Sequence, residues 1–194
     1  ETTLLSLHDK LIDAVNNQQV TCLCLLDLSA AFDTIDHDIL LTRLSSWFGI
    51  TGTALDWFTS YLSSRSFSVN ASGTTSSSFP LSCGVPQGSV LGPILFNMYT
   101  TPLSSLIKST TCDHTAYADD TGLTLSFVPN TFPVAIAQLQ NTITLISSWM
   151  SSNLLVLNPS KTEFMIIGLR QQLSKITNPS LVLPSIPPIL PTES

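Results

Sequence analysis

The run "VTCLCLLDLS", residues 20–29, restricts the fold more than any other stretch of the chain. It is apolar almost without a break, so an extended segment here would carry apolar side chains on both faces. Only a strand inside a sheet, covered on two sides, buries such a segment. Alternation puts Cys22 and Cys24 on one face of that strand, where packing is the simplest role for both. The run stops at an acid, Asp27, and the other apolar stretches are cut by Pro93 or Pro102 before they reach membrane-spanning length. With 194 residues and 43% hydrophobic content, the chain can surround one central strand with a core.

Helical spacing of Leu4, Leu7, Leu11, Ile12 and Val15 predicts an amphipathic helix before that strand. After it, "DHDILLTRLSSWF" predicts a helix capped by Asp36, and "GTALDWFTSYL" a second. The Ser/Thr-rich segment from Ser63 to Ser82 suits two short extended pieces around a turn at Ser72-Gly73. "GVPQGSVLGPILFNMYTTPLSSLI" reads as a Gly/Pro turn entering a long helix, with Pro93 early enough to be tolerated. Two strands around "YADDT" follow, then a helix ending at Asn153, then strand, turn at Asn158-Pro159, and strand. The order predicts an α+β fold with helices packed on one face of a mainly antiparallel sheet. Residues 169–194 are dense in proline and read as a tail distinct from a domain spanning 1–168.

Charge narrows the function. Seven Lys and Arg against thirteen Asp and Glu give a net charge of −6, the reverse of what a self-sufficient nucleic-acid binder carries. Four cysteines without CxxC spacing argue for buried, reduced thiols in an intracellular compartment and against a zinc site. In so apolar a chain the adjacent Asp119 and Asp120 stand out, although most such pairs are solvated turns. If their hairpin neighbours the Asp27 strand end, three carboxylates converge. Two unit charges about 4 Å apart repel by about 4 kcal/mol at an effective dielectric near 20, so the cluster must stay partly protonated or hold cations. Oxygen donors suit Mg²⁺, and paired ions of that kind serve both polymerases and nucleases.

"LLDLSAAFDTIDHDILL", "GVPQGSVLGPILFNMY", "YADDT" and "LNPSKTEFM" together resemble motifs A, B, C and D of the reverse transcriptases of non-LTR (LINE-type) retrotransposons, in order and spacing, over roughly residues 1 to 190. The resemblance implies a partial reverse transcriptase domain, the palm of a right-hand polymerase. It implies two Mg²⁺ ions, with Mn²⁺ as an alternative, held by Asp27, Asp119 and the more peripheral Asp120. It implies that Lys161 serves the leaving pyrophosphate and that Phe32 gates the sugar 2′ position beside Leu28, Ala31 and Gln87 at the nucleotide. Gly84, Pro86, Gly88, Tyr117 and Ala118 would meet template and primer. The implied partners are an RNA template, a DNA primer and dNTPs, with no membrane, in the nucleus or cytoplasm.

Taken singly, these residues have plainer readings: Phe32 as a core aromatic, "GVPQGS" as a helix-entry turn, Lys161 as a solvated lysine. Asp33 and Asp36 suit the turn into a helix, and His37 and His114 match no metal pattern. Relative to whole enzymes of that family, fingers and thumb are expected outside the chain, as parts of a larger polyprotein. The isolated chain is then expected to bind primer-template poorly and not to extend it. A catalytically inactive remnant or interaction module stays open beside the polymerase, as does a two-metal nuclease, against which motifs B and D count.

Overall fold

The structure, a computed structural model, describes residues 2–117, 120–183 and 188–192. In chain order its elements are α1 (Thr2–Asn16), β1 (Val20–Leu26), β2 (Leu28–Ser29), α2 (His37–Ser46), α3 (Thr53–Leu62), β3 (Arg65–Phe67), β4 (Asn70–Ala71), β5 (Thr74–Thr75), β6 (Phe79–Leu81), α4 (Leu91–Lys108), β7 (Asp113–Tyr117), β8 (Asp120–Phe127), α5 (Phe132–Ser152), β9 (Val156–Leu157), β10 (Glu163–Ile167) and α6 (Arg170–Leu173). Single 3₁₀ turns lie at Pro129–Thr131 and Pro159–Lys161. The chain divides into two units, Glu1–Ser29 with Pro102–Ser152 and Val156–Ser194, and Ala30–Thr101 with Asn153–Leu155. Among the described residues no helix is long and apolar enough to cross a membrane.

The first unit is built on a four-stranded antiparallel sheet of order β10-β1-β8-β7. As the apolar run required, β1 is an inner strand, and all its residues except Leu25 are buried. Period-two alternation assigns its faces. Val20, Cys22 and Cys24 stand on one face with their cross-strand partners Phe127, Leu125 and Leu123. That face meets α5, since the Phe127 and Phe132 rings lie 5.9 Å apart and Cys112 Sγ hydrogen-bonds Thr142 at 3.4 Å. On the other face Thr21 Oγ1 pairs with Ser126 Oγ at 2.8 Å, and α1 covers it through Leu7, Lys10 and Ala14. Helices therefore cover both faces of the sheet, where one face was expected. A strand apolar on both sides leaves no other way to keep water from Leu23 and Cys24 together.

"LLVLNPSKTEFMIIG" forms strand, turn and strand as expected. Its two strands do not form a hairpin with each other: β9 pairs with β2, while β10 pairs with the far edge of β1. The 3₁₀ turn between them carries the chain from one ladder to the other. Beyond β10, Leu181 and Leu183 are buried, Leu181 bridges Ile189, and the Thr192 amide donates to the Phe164 carbonyl at 2.9 Å.

In the second unit Ile35, Leu40, Leu44, Leu62, Leu95, Phe96 and Tyr99 are buried. Asp36 caps α2 as predicted, its Oδ1 accepting the Ile39 amide at 2.9 Å, a contact worth about 1 kcal/mol. The Ser/Thr-rich segment forms two nested antiparallel pairs, β3 with β6 and β4 with β5, around Ser72-Gly73. Arg43, which no sequence signal marked, is buried on α2. Its guanidinium donates to the Tyr99 carbonyl and to Asn153 Oδ1, and it lies 4.6 Å from the Tyr99 ring centroid. Tyr99 Oη in turn donates to the Asn153 carbonyl at 2.7 Å, so a polar clamp ties α2, α4 and the 153–155 segment together. Burial pushes the Arg43 pKa down and the Tyr99 pKa up.

The "GVPQGS" turn is fastened to residues 32–37. Gly84 N–H donates to the Ile35 carbonyl at 2.7 Å, Val85 N–H to the Phe32 carbonyl at 2.8 Å, and His37 Nε2 meets the Gly84 carbonyl at 2.8 Å. Gly84 has φ +86°, and a Cβ there would lie 2.9 Å from the Asp33 carbonyl oxygen. Gly88, at φ +76°, has open space around it, so only its dihedral calls for glycine.

Two outcomes are expected from this packing. Burial pushes the Cys22 and Cys24 thiols up to about 12 and also raises Cys112, while Cys83 is only half-buried. A brief iodoacetamide pulse on the native chain, read by peptide mass spectrometry, should therefore label Cys83 first and the other three only after denaturation. Equal native labelling of Cys22 would contradict the packing. In thermal melts Gly84→Ala should cost about 2–4 kcal/mol, because dihedral strain adds to a backbone clash, whereas Gly88→Ala should cost about 1–2 kcal/mol from strain alone.

Candidate active site

Asp27 is the first residue past β1, and the pairing of Leu26 with Thr121 carries the register toward Asp120 on the neighbouring strand. Alternation puts Asp120 on the face that holds Gly122, opposite Leu25, and the other neighbour of Leu25 is Glu163. The result is a cleft of about 450 Å³ lined by Leu25, Asp27, Asp120, Ser160, Lys161 and Glu163. Leu25 is the one β1 residue that is not buried, and it marks where the sheet opens into this cleft. The expected meeting of the Asp27 strand end with the acidic hairpin is thus observed for Asp120. Asp119 and Ala118 lie outside the described residues, and Tyr117 ends β7 opposite Asp120.

Asp27 sits where one ladder ends and another begins. Its carbonyl accepts the Asn158 amide at 2.9 Å, which anchors the turn after β9 to the end of β1. That turn is wound by Asn158: Oδ1 accepts Ser160 N–H at 3.2 Å and Ser160 Oγ at 2.7 Å, and its carbonyl accepts Thr162 Oγ1 at 3.1 Å. Lys161 leaves the turn with Nζ 3.3 Å from Asp27 Oδ2. The geometry is that of an ion pair and not of an aligned hydrogen bond, and Asp27 Oδ2 is buried without a hydrogen-bond partner among the described residues. The Lys161 side chain is 65% exposed and that of Asp27 20%, so screening holds the pair to about 1 kcal/mol or less. A buried acceptor lacking its hydrogen bond costs about 1–3 kcal/mol. Lys161 alone therefore leaves the carboxylate under-satisfied.

A hard divalent cation fits this donor set. Asp27 offers a buried carboxylate oxygen with spare lone pairs, and Asp120 lines the same cleft. Among the described residues no three His, Cys, Asp or Glu side chains converge as a cation site.

The remaining predicted residues fall as follows. Leu28 pairs in β2 with Leu157, and its side chain is buried. In the second unit Ala31 is also buried. Phe32 is half-buried, its ring 4.9 Å from that of Phe96. Gln87 Nε2 donates to Asp33 Oδ1 at 2.8 Å, so Asp33 holds Gln87 while Asp36 does the capping. Pro86 is half-buried, and Gly88 is exposed. Asp113 carries an ion pair with Lys10 at 3.0 Å. Asn158, Ser160 and Glu163 were missed as site residues. An Asn two positions before a Ser is the signal of an Asx turn, and Glu163 was marked only by its strand parity.

Residues 3–181 match the family described as reverse transcriptase (RNA-dependent DNA polymerase). The chain is 30% identical over 157 residues to the "Probable RNA-directed DNA polymerase from transposon BS" of Drosophila melanogaster, covering 78% of this chain and 17% of that protein. It is 32% identical over 117 residues to the RNA-directed DNA polymerase from mobile element jockey of the same species, covering 58% of this chain and 13% of that one. It therefore spans less than a fifth of the length of these curated relatives. Among solved structures, apo telomerase from Candida tropicalis, truncated at its C-terminal domain, superposes with a TM-score of 0.63 at 16% identity, covering 84% of this chain and 35% of that one. Telomerase from Candida albicans, in complex with the TWJ fragment of telomeric RNA, gives 0.62 at 13% identity, covering 92% of this chain and 32% of that one. These likenesses carry the fold, and the mobile-element relatives agree with the resemblance of motifs A to D: the chain belongs to the reverse transcriptase family.

Proposed function

We propose that this chain supplies the catalytic palm of an RNA-directed DNA polymerase, with residues 1–168 as the palm and 169–194 leading out of it. The observation that carries the reading is the buried, under-satisfied Asp27 carboxylate in a cleft shared with Asp120, in a chain of the reverse transcriptase family. The reaction joins a primer 3′-oxygen to the α-phosphorus of a dNTP, breaking the bond to the bridging oxygen so that pyrophosphate leaves. Enzymes of this family use divalent metal ions, and such ions, Mg²⁺ or Mn²⁺, lower the pKa of the attacking hydroxyl and neutralise the leaving oxygens when bound. Asp27, Asp119 and Asp120 are the residues to hold them.

The other roles follow from what each side chain offers. Lys161, with a largely exposed side chain and a backbone anchored through the Asn158 turn, can reach a leaving pyrophosphate. Phe32 is braced by Phe96, so its ring can stand rigidly against a sugar 2′ carbon. Leu28 and Ala31 are buried and would meet a nucleotide through backbone only. Gln87, Gly84, Pro86 and Gly88, with Tyr117 and Ala118, are the candidates for the template and primer strands.

The test grafts residues 1–168 into a complete related enzyme and assays synthesis on an RNA template with a DNA primer. Asp27→Asn and Asp120→Asn should each lower kcat by at least about a hundredfold, since each removes a charge on which the developing transition-state charge depends. Synthesis undiminished by Asp27→Asn would defeat the polymerase reading, and a wild-type graft without synthesis would favour an inactive remnant. In the same graft Phe32→Val should raise the kcat/KM ratio of ribonucleotide to deoxynucleotide at least tenfold, because the ring discriminates by clash with the 2′-hydroxyl. An unchanged ratio would return Phe32 to packing alone.

A further inference from the structure

We infer that Lys161 is the resident counter-ion of Asp27 in the metal-free site, and that a divalent cation and the Lys161 ammonium compete for the same carboxylate oxygen. Metal loading then releases the ammonium into the cleft, where the substrate phosphates lie. The inference rests on the reading of this cleft as a polymerase site. Three observations carry it.

First, the ammonium stands 3.3 Å from Oδ2, and Oδ2 is the atom left without a hydrogen bond. A cation bound through that oxygen and an ammonium in contact with it repel each other across one acceptor, so each weakens the other's hold on it. Second, attachment of the lysine is asymmetric. Its backbone is fixed by the Asn158 turn, which is hydrogen-bonded to the Asp27 carbonyl, while its side chain is 65% exposed and ends in the ion pair. Losing the pair costs little, and the turn keeps Nζ within reach of the cleft after release. Third, Asp27 is mostly buried, so a metal-free site without a counter-charge would hold a desolvated anion. Lys161 relieves that penalty until metal arrives, and it delivers a proton-bearing group to the phosphates only once metal is present.

The competition is tested on the 194-residue chain itself by Mn²⁺ titration, with free Mn²⁺ read by electron paramagnetic resonance, and by thermal melts with and without Mg²⁺. The variants are Lys161→Met, Lys161→Arg and Asp27→Asn. Lys161→Met should bind Mn²⁺ about fivefold tighter than wild type, melt lower without metal and gain more in Tm on adding Mg²⁺. Lys161→Arg retains the charge and should stay within about twofold of wild type in both readouts. Mn²⁺ affinity equal or weaker in Lys161→Met would overturn the competition and leave the polymerase reading standing. Wild-type affinity in Asp27→Asn would place the ion elsewhere and overturn both. No binding by any variant, including Lys161→Met, would also overturn the competition, because removing the lysine would then have opened nothing.

Discussion

The antiparallel register between β1 and β8 is the constraint on which the site depends. It fixes Leu26 opposite Thr121, and with a side-chain period of two it decides that Leu25, Gly122 and Asp120 share a face at the open end of the sheet. A slip of one residue would turn Asp120 to the α5 side of the sheet, the face of Cys22 and Cys24, where a carboxylate would be stranded, and would turn Leu123 and Phe127 off that face. Burial of the alternating apolar side chains therefore enforces the alignment of the acids, although none of the acids contributes to the burial. The same force that folds the strand positions the chemistry.

An acid at the end of such a strand is tolerable because the backbone there is already satisfied. At Asp27 the chain leaves a ladder with β8 and β10 and enters a short one with β9, and the Asp27 carbonyl takes the Asn158 amide at the crossing. The turn that supplies this bond also carries Lys161. One local device thus closes the strand break and places a cation beside the only buried side-chain oxygen left without a hydrogen bond among the described residues. Exposure of that lysine keeps the ion pair weak, which on the proposed reading leaves the carboxylate available to other cations.

Much of this was legible from the chain. Two-sided apolarity gave β1 its inner position, turn chemistry gave the Asp36 cap and the Ser72-Gly73 reversal, and the motif resemblance singled out Asp27, Asp120 and Lys161. What could not be read was partner choice. Periodicity tells which side chains share a face but not which strand lies alongside, so "LLVLNPSKTEFMIIG" read as strand, turn and strand without showing that β9 and β10 join different ladders. The sidedness of α1 and α5 was hidden for the same reason, since both helices are amphipathic and either face of β1 would accept either one. Arg43 escaped because a single basic residue on a helix usually faces water. Its burial depends on acceptors at Tyr99 and Asn153, far away in sequence.

The use of basic residues explains how an acidic chain can hold such a site. Of the seven Lys and Arg, Lys10 pairs with Asp113, Arg43 is spent inside the clamp, Arg65 stacks on Tyr61, Lys161 meets Asp27 and Lys175 bonds Gln172. Most of the positive charge is thus committed to internal contacts, and little is left to hold a phosphate backbone, whose affinity scales with the cations opposite it. A surface of this kind gives weak attraction for nucleic acid, with a shallow salt dependence because few cations face phosphates. On the proposed reading, specific chemistry comes from charge delivered at one point, the Asp27 cleft. Its carboxylate is partly desolvated, its own cation is only loosely held, and the turn that carries that cation is hydrogen-bonded to the strand end. Electrostatic focusing in a low-dielectric cleft makes one ion there worth more than several on the solvated surface.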